Sequence, residues 1–258
     1  MNENDSDTLT FNAFCENTIK NFSSTRKQTP EYGSLSIQGD AGGTYIFKKK
    51  IKDSYNGISY KNMTLPLEID KRINIDSKIN IPIFSGATNI DLNIINIFIQ
   101  RLGYEIINDI RTYASTEIDH LIELSSKYPF EVQSYYTIHR FDQEYLSISL
   151  SHSDDFASIH PNYYNYSINF KLTPTRQVNI YEVFEIPHIE GLSDLINQYA
   201  EDGCKDILLR TLNEIDTYKL DFAFDEQSLF LFFTNHLPHA YKACGIVEIP
   251  LANLSFRS

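Results

Sequence analysis

The order in which strand-type and helix-type patterns follow one another constrains this fold more than any other feature of the sequence. Alternation of apolar and polar residues dominates from residue 32 onward, and helical spacing occupies two separate stretches, near 89–111 and near 193–215. A doubly wound parallel sheet would instead need regular alternation of one strand with one helix. The sequence therefore predicts an α+β protein with a mostly antiparallel sheet, packed by these two helices.

The first helical stretch carries apolar residues at steps of three and four, the spacing of one buried helix face. These residues are Ile94, Ile95, Phe98, Leu102, Ile106 and Ile110. Asn89 is the expected N-cap, and Tyr128-Pro129 ends the pattern. In the second stretch, Gly203 is a candidate break.

The expected strands combine β-branched and aromatic residues with period-two alternation. They cover 64–83 as an extended pair ending at Pro82, then 132–141, 145–151, 165–172 and 228–233. We expect the last three of these to share one antiparallel sheet, crossed by the first helix. Residues 1–30 predict a flexible tether or one short amphipathic helix with Phe11, Phe14, Ile19 and Phe22 on its apolar face.

These patterns divide the chain into three parts. Residues 1–30 form the tether, 31–127 form an N-terminal α+β module, and 128–258 form a C-terminal module. The two modules make either separate domains or one compact unit.

The chain has 258 residues and a net charge of −12, with its acidic residues spread along the sequence. Such a surface repels phosphate backbones, so nucleic acid is not an expected partner. It favours a basic partner through complementary potential. Solubility alone is the more ordinary reason for an acidic surface.

Cysteine usage and the chain start leave the compartment open. Cys204 and Cys244 either pair or remain as buried free thiols. No apolar run approaches the ~20 residues that a membrane-spanning helix needs. The polar start, Met1 to Asp7, is either a cytosolic N-terminus or the start of a mature chain from which an export signal was cut. We favour the second interpretation, which predicts a periplasmic or cell-surface location.

Two histidine-containing segments are weak candidates for catalysis or metal binding. His236 and His239 are separated by Leu237-Pro238, which indicates a turn, and no third ligand lies nearby. His152, Ser153, Asp154 and Asp155 include the residue types of a catalytic triad, but such triads assemble from distant segments. We predict no enzyme activity, no cofactor and no metal site.

Two loops rich in Tyr, His, Asn and Pro are more informative, at 158–166 and 235–242. Tyr gives a large contact area at low entropic cost, and Pro stiffens a loop. The predicted partner-binding residues are His160, Pro161, Asn162, Tyr163, Tyr164, His236, Pro238, His239 and Tyr241. Packing of these tyrosines on the sheet is the alternative interpretation.

The same loops carry a family resemblance, which covers roughly residues 64–258. The segments 158–164, 166–172 and 178–184 resemble a signature containing His160-Pro161-Asn162 and Phe170-Lys171-Leu172. The signature is similar to that of an extracytoplasmic bacterial domain of unknown function. That domain forms the outer part of lysozyme-sensing anti-sigma factors and precedes the catalytic domain in some peptidoglycan deacetylases.

The C-terminal segments 222–224, 229–233, 243–245 and 247–251 agree with the same domain, and 81–86 resembles the module that precedes it. Two positions depart from the family pattern. Ser158 and Ile159 replace two glycines, and Tyr241-Lys242 replaces a Pro-Tyr pair. We recognise no sigma-binding segment, membrane span or deacetylase domain, so the resemblance carries over neither signalling nor deacetylation.

We therefore expect an extracytoplasmic binding protein whose partner is a basic protein such as a lysozyme-like or other peptidoglycan-degrading enzyme or toxin. It would act as an inhibitor or an immunity protein. A peptidoglycan-binding accessory module is the first alternative, with tyrosines stacking on sugars. A hydrolase with an unrecognised site is the second.

Overall fold

A computed structural model describes the backbone of residues 8–15, 18–25, 35–38, 44–47, 54–55, 57–86, 88–156 and 161–257, with side chains from residue 57 onward. The chain divides into two compact units, Met1–Ile51 and Lys52–Ser258. Residues 31–127 and 128–258, expected as two modules, both contribute strands to the main sheet of the second unit.

The first unit contains two antiparallel strand pairs. Their strands are β1 (Thr8–Cys15), β2 (Thr18–Thr25), β3 (Leu35–Gln38) and β4 (Thr44–Phe47). The short helix expected through Phe11 and Phe22 is therefore wrong. Residue spacing that fits one helix face also fits a hairpin, because Phe11 lies opposite Phe22 and Phe14 lies opposite Ile19.

The second unit contains two sheets and five α-helices among its described residues. Its strands are β5 (Ser54–Tyr55), β6 (Ile58–Leu65), β7 (Ile75–Gly86), β8 (Phe130–Phe141), β9 (Tyr145–Asp155), β10 (Asn162–Leu172), β11 (Thr175–Gln177), β12 (Asp221–Phe224), β13 (Ser228–Phe232) and β14 (Ile246–Pro250). Its α-helices are α1 (Leu92–Thr116), α2 (Ile118–Ser125), α3 (Ile180–Val183), α4 (His188–Tyr199) and α5 (Lys205–Glu214). Short 3₁₀ helices cover Thr217–Lys219, His239–Cys244 and Leu251–Asn253.

The main sheet has seven strands in the order β11-β10-β9-β8-β7-β6-β5. Only β7 and β8 run parallel, and α1 and α2 connect them. This confirms the expected α+β class with a mostly antiparallel sheet. Pro82 lies inside β7 rather than at its end.

Helix α1 packs closely on β6 and β7. A Cβ added at Gly103 would lie 2.5 Å from Leu65 Cδ1 and 3.2 Å from Ile81 Cγ2, so a larger residue there would require the Leu65 side chain to move. The N-cap is Asp91 rather than the expected Asn89, because the Asp91 carboxylate accepts hydrogen bonds from two backbone N–H groups. The buried face includes Ile95, Ile99, Ile106 and Ile110, whereas Ile94, Phe98 and Leu102 are half-buried.

The second sheet has three strands in the order β12-β13-β14. Its Phe222, Leu231 and Val247 side chains share a core with α4 and α5. The segment expected at 228–233 therefore belongs to this sheet and not to the main one. The helix expected near 193–215 is two helices, and Gly203 lies in the turn between them.

A disulfide joins Cys204, which precedes α5, to Cys244, which ends the 3₁₀ helix His239–Cys244. Of the two states that the sequence left open, the structure therefore has the paired one. Within 57–86, 88–156 and 161–257, no helix is long and apolar enough to span a bilayer.

Candidate functional site

The candidate site begins at the outer edge of β10. Strand β9 pairs with β10 on one side from Asn162 to Lys171. On the other side, β11 pairs only with Phe170, Lys171 and Leu172. An uncovered strand edge exposes backbone N–H and C=O groups that must find other partners. Several of these partners are side chains that lie just after β13 or at the first residue of β12.

Asn235 pairs with the backbone of Asn165 in the manner of a neighbouring strand. Its Oδ1 accepts a hydrogen bond from the Asn165 N–H at 2.8 Å, and its Nδ2 donates to the Asn165 carbonyl at 2.7 Å. The Asn165 Nδ2 donates in turn to Thr234 Oγ1 at 3.0 Å. These bonds join the loop after β13 to the edge of the main sheet.

Asp221 continues this contact one step along β10. Its Oδ1 accepts hydrogen bonds from the Ser167 N–H at 2.7 Å and from the Ser167 hydroxyl at 3.0 Å. Burial raises the pKa of Asp221 to about 6, and the two Ser167 bonds partly oppose the rise. The side chain is therefore mostly a carboxylate at neutral pH and takes up a proton as the pH falls through about 6.

Lys242 brings together the two segments predicted as loops, although residues 162–166 of the first segment form the start of β10. Its Nζ donates to the Tyr163 carbonyl at 2.7 Å and lies 3.8 Å from the centroid of the Tyr164 ring. Burial lowers the pKa of Lys242, and Asp154 opposes this change. His239 Nε2 lies 3.4 Å from the Pro161 carbonyl. The two segments identified from sequence are thus direct neighbours, although they lie about 70 residues apart in the chain.

The predicted residues differ in exposure. Tyr163 is 54% exposed and Tyr241 is 45% exposed, so both are open to a partner. Tyr164 is half-buried and stacks on His152, with ring centroids 5.8 Å apart. His236 and Pro238 are exposed on the loop. His160 lies outside the described residues.

A buried polar group lies beneath Tyr164. His152 is 3% exposed, and its Nε2 lies 3.4 Å from Asp154 Oδ2. Asp154 is 8% exposed and accepts a hydrogen bond from Asn162 Nδ2 at 3.0 Å. Asp154 is therefore a buried structural residue beneath the site.

Metal binding finds no geometric support in the part of the chain with described side chains. There, no group of three His, Cys, Asp or Glu side chains can hold a metal ion. His236 lies in the turn after β13, whereas His239 begins the 3₁₀ helix His239–Cys244.

Sequence reasoning missed three contributors to this site: Asn235 as a backbone partner, Asp221 and the cation of Lys242. None of them belongs to a periodic pattern or a short motif. Their roles depend on where β12–β14 dock on the main sheet, and the sequence carries no local signal for that placement.

Comparison with known proteins gives a likeness in backbone only. No family model and no curated protein matches this chain. A DUF3298 family member from Bacteroides fragilis is similar, with 13% sequence identity and a TM-score of 0.42 over 80% of this chain and 96% of that one. A DUF3298 family protein from Pseudomonas aeruginosa is similar with 12% identity and a TM-score of 0.42, over 78% of this chain and 95% of its own.

Proposed function

We propose that this chain is a non-catalytic, extracytoplasmic binding protein. Its partner is a lysozyme-like or other peptidoglycan-degrading enzyme, which the chain inhibits or to which it confers immunity. The observation that carries the proposal is a pair of exposed tyrosines, Tyr163 and Tyr241, on two segments that Lys242 joins. Exposed tyrosines at the centre of a contact often supply most of its binding energy.

The backbone segments that carry the two tyrosines are held in place by hydrogen bonds and a disulfide. The Tyr163 carbonyl accepts from Lys242, and the next residue pairs with Asn235. Tyr241 precedes Lys242 in a 3₁₀ helix that the disulfide at Cys244 anchors to α5. Little conformational freedom remains to be lost on binding, which favours affinity.

Charge and redox chemistry support the partner class and the compartment. The net charge of −12 favours a basic partner, and cell-wall hydrolases are often basic. The Cys204–Cys244 disulfide is typical of proteins in oxidising compartments such as the periplasm or cell surface. A nucleic-acid partner is disfavoured by the same charge.

Titration of purified protein against basic peptidoglycan hydrolases, with lysozyme as the first probe, tests the proposal. Tyr163→Ala and Tyr241→Ala should each weaken binding by about 2 kcal/mol, because the proposal places both rings in the contact. Tyr128→Ala is the matched control, because Tyr128 is 55% exposed and lies in the turn between α2 and β8. Its affinity should stay within about 0.5 kcal/mol of the unmodified protein.

Three outcomes separate the alternatives. Loss of binding in both site variants but not in the control supports the proposal. Unchanged affinity in both site variants contradicts the assignment of these residues. Binding to purified peptidoglycan with no binding to any hydrolase replaces the proposal with a wall-binding role.

A further inference from the structure

The main sheet has a face that is covered at one end and open at the other. Strands β8, β9 and β10 place alternate residues on this face. At the covered end, Ser147 and Ser149 are buried, and the Phe224 N–H of β12 donates to Ser147 Oγ at 2.9 Å. At the other end Ser151 is exposed. The second sheet therefore covers only part of this face.

Two tyrosines stand on the open part. Tyr135 on β8 and Tyr163 on β10 are 56% and 54% exposed. The strand register forms two rows across β8, β9 and β10. One row contains Gln133, Ser153 and Tyr163, and the next contains Tyr135, Ser151 and Asn165. The Tyr135 hydroxyl bonds with Gln133 Oε1, and Ser151 Oγ donates to Asn165 Oδ1 at 2.8 Å.

Three carboxylates lie side by side on the same face. Asp76 on β7 is paired in register with Glu131 on β8, and Glu131 is paired with Asp155 on β9. None of the three forms an ion pair with another described residue. Like charges directly opposite one another on neighbouring strands repel. Lys78, in the next row, is the one lysine of this open part on β7 and β8.

We propose that the open face receives a lysine- or arginine-bearing segment of the partner protein. The inference rests on the proposed function and extends the same site from Tyr163 across the sheet to Asp76. The carboxylate row attracts the cationic side chains, and the rings of Tyr135 and Tyr163 are available for cation–π contact. Binding also relieves the repulsion within the row.

The same carboxylates argue against other occupants. A second copy of this chain, placed face to face, would bring another row of carboxylates against the first. Anionic polymers, including peptidoglycan with its carboxylate-bearing peptides, meet the same repulsion. A basic protein segment is the occupant that the charges favour.

The test uses a labelled peptide of alternating lysine and serine, its glutamate–serine counterpart, and lysozyme, each titrated into the whole protein. The site variant combines Asp76→Asn, Glu131→Gln and Asp155→Asn. The control variant combines Glu190→Gln, Asp194→Asn and Asp206→Asn on α4 and α5, where all three residues are exposed. Both variants change the net charge by the same amount, so they separate local contact from overall charge.

The site variant should bind the lysine peptide about tenfold more weakly, because three partly screened ion pairs are lost. It should also lose most of the salt dependence of binding. The control variant should change affinity by less than about twofold, and the glutamate peptide should not bind. Equal weakening in both variants, or no binding of the lysine peptide to the unmodified protein, would overturn the inference.

Folding and the proposed function are checked separately. Removing adjacent like charges should leave the melting temperature of the site variant unchanged or raise it. If the triple variant does not fold, Glu131→Gln alone should still weaken lysine-peptide binding about twofold to threefold. The proposed function fails on its own if the lysine peptide binds this face but no peptidoglycan hydrolase binds the protein.

Discussion

The side-chain amide of Asn235 forms both hydrogen bonds that a neighbouring strand would form with the backbone of Asn165. Asn235 Oδ1 accepts from the Asn165 N–H at 2.8 Å, and Asn235 Nδ2 donates to the Asn165 carbonyl at 2.7 Å. A similar pair joins Asn96 of α1 to the N–H and carbonyl of Phe84 on β7, both at 2.8 Å. Strand edges in this fold are thus closed in two places by asparagine side chains.

Asn235→Ala should destabilise the protein by about 1–3 kcal/mol, because it removes both partners of a half-buried peptide group. Asn235→Asp keeps the acceptor and loses the donor, so it should lie between alanine and the native residue. Urea unfolding measures both. Asn213→Ala is the control, because Asn213 is exposed on α5 and its Nδ2 bonds only with its own helix, at Leu209 O. An equal effect at both positions would show that the edge contact adds nothing.

Asp221 should make the free energy of unfolding decrease as the pH rises. Its folded-state pKa of about 6 lies above the ordinary value of 3.8 because the carboxyl is buried. The stability gained from the proton is full below about pH 4 and is lost as the pH rises through about 6. A shift of about two pH units corresponds to at most about 3 kcal/mol.

Asp221→Asn removes this titration. The difference in unfolding free energy between the variant and the native protein should therefore move in favour of the variant between about pH 4 and about pH 7. Denaturant unfolding at a series of pH values measures it. Parallel pH profiles for the two proteins would show that Asp221 titrates at an ordinary pKa.

The sequence predicted α1 because its apolar spacing is long and regular, and Ile95, Ile106 and Ile110 are buried as that spacing requires. It identified the two tyrosine-rich segments, although it assigned residues 162–166 of β10 to a loop, and it could not bring the two segments together. Their contact depends on Asn235 and Lys242 meeting β10, and no local pattern encodes a pairing between segments so far apart. The same limit explains why the sequence predicts the strand at 228–233 as part of the main sheet, whereas it belongs to the second sheet. Alternation identifies a strand but not its neighbours.

The contribution of the buried face of α1 to the free energy of unfolding can be measured by comparing two isoleucines on this helix. Ile99 is fully buried, whereas Ile97 is 63% exposed. Ile99→Ala should cost about 2–5 kcal/mol through lost burial and the cavity left behind. Ile97→Ala should change stability by less than about 0.5 kcal/mol. Similar values at the two positions would contradict the orientation of α1. Leu102→Ala should lie between them, because Leu102 is half-buried.

The Cys204–Cys244 disulfide should stabilise the unit that carries Tyr241. It closes a loop with a sequence separation of 40 residues. Replacing both cysteines with serine should cost about 2–4 kcal/mol, because the unfolded chain gains freedom. Denaturant unfolding with and without a thiol reductant measures this. In the native protein the reductant should lower stability, and in the serine variant it should have no effect. A reductant effect in the serine variant would point to Cys15 or to another cause.

Lys242→Met should weaken both the fold and the proposed partner contact. Methionine keeps an unbranched side chain but loses the donor to the Tyr163 carbonyl and the cation 3.8 Å from the Tyr164 ring centroid. The loss of a charge-assisted hydrogen bond and a cation–π contact should cost about 1–3 kcal/mol of stability. Binding to a hydrolase should weaken as well, because Tyr163 and Tyr241 are no longer joined. Lys219→Met is the control, since its side chain is 84% exposed and contacts only the nearby Asp216 carboxylate at 3.4 Å. Urea unfolding and hydrolase titration measure the two effects on the same preparations. If Lys242→Met lowers stability and leaves affinity intact, the junction is structural and the partner contacts another surface.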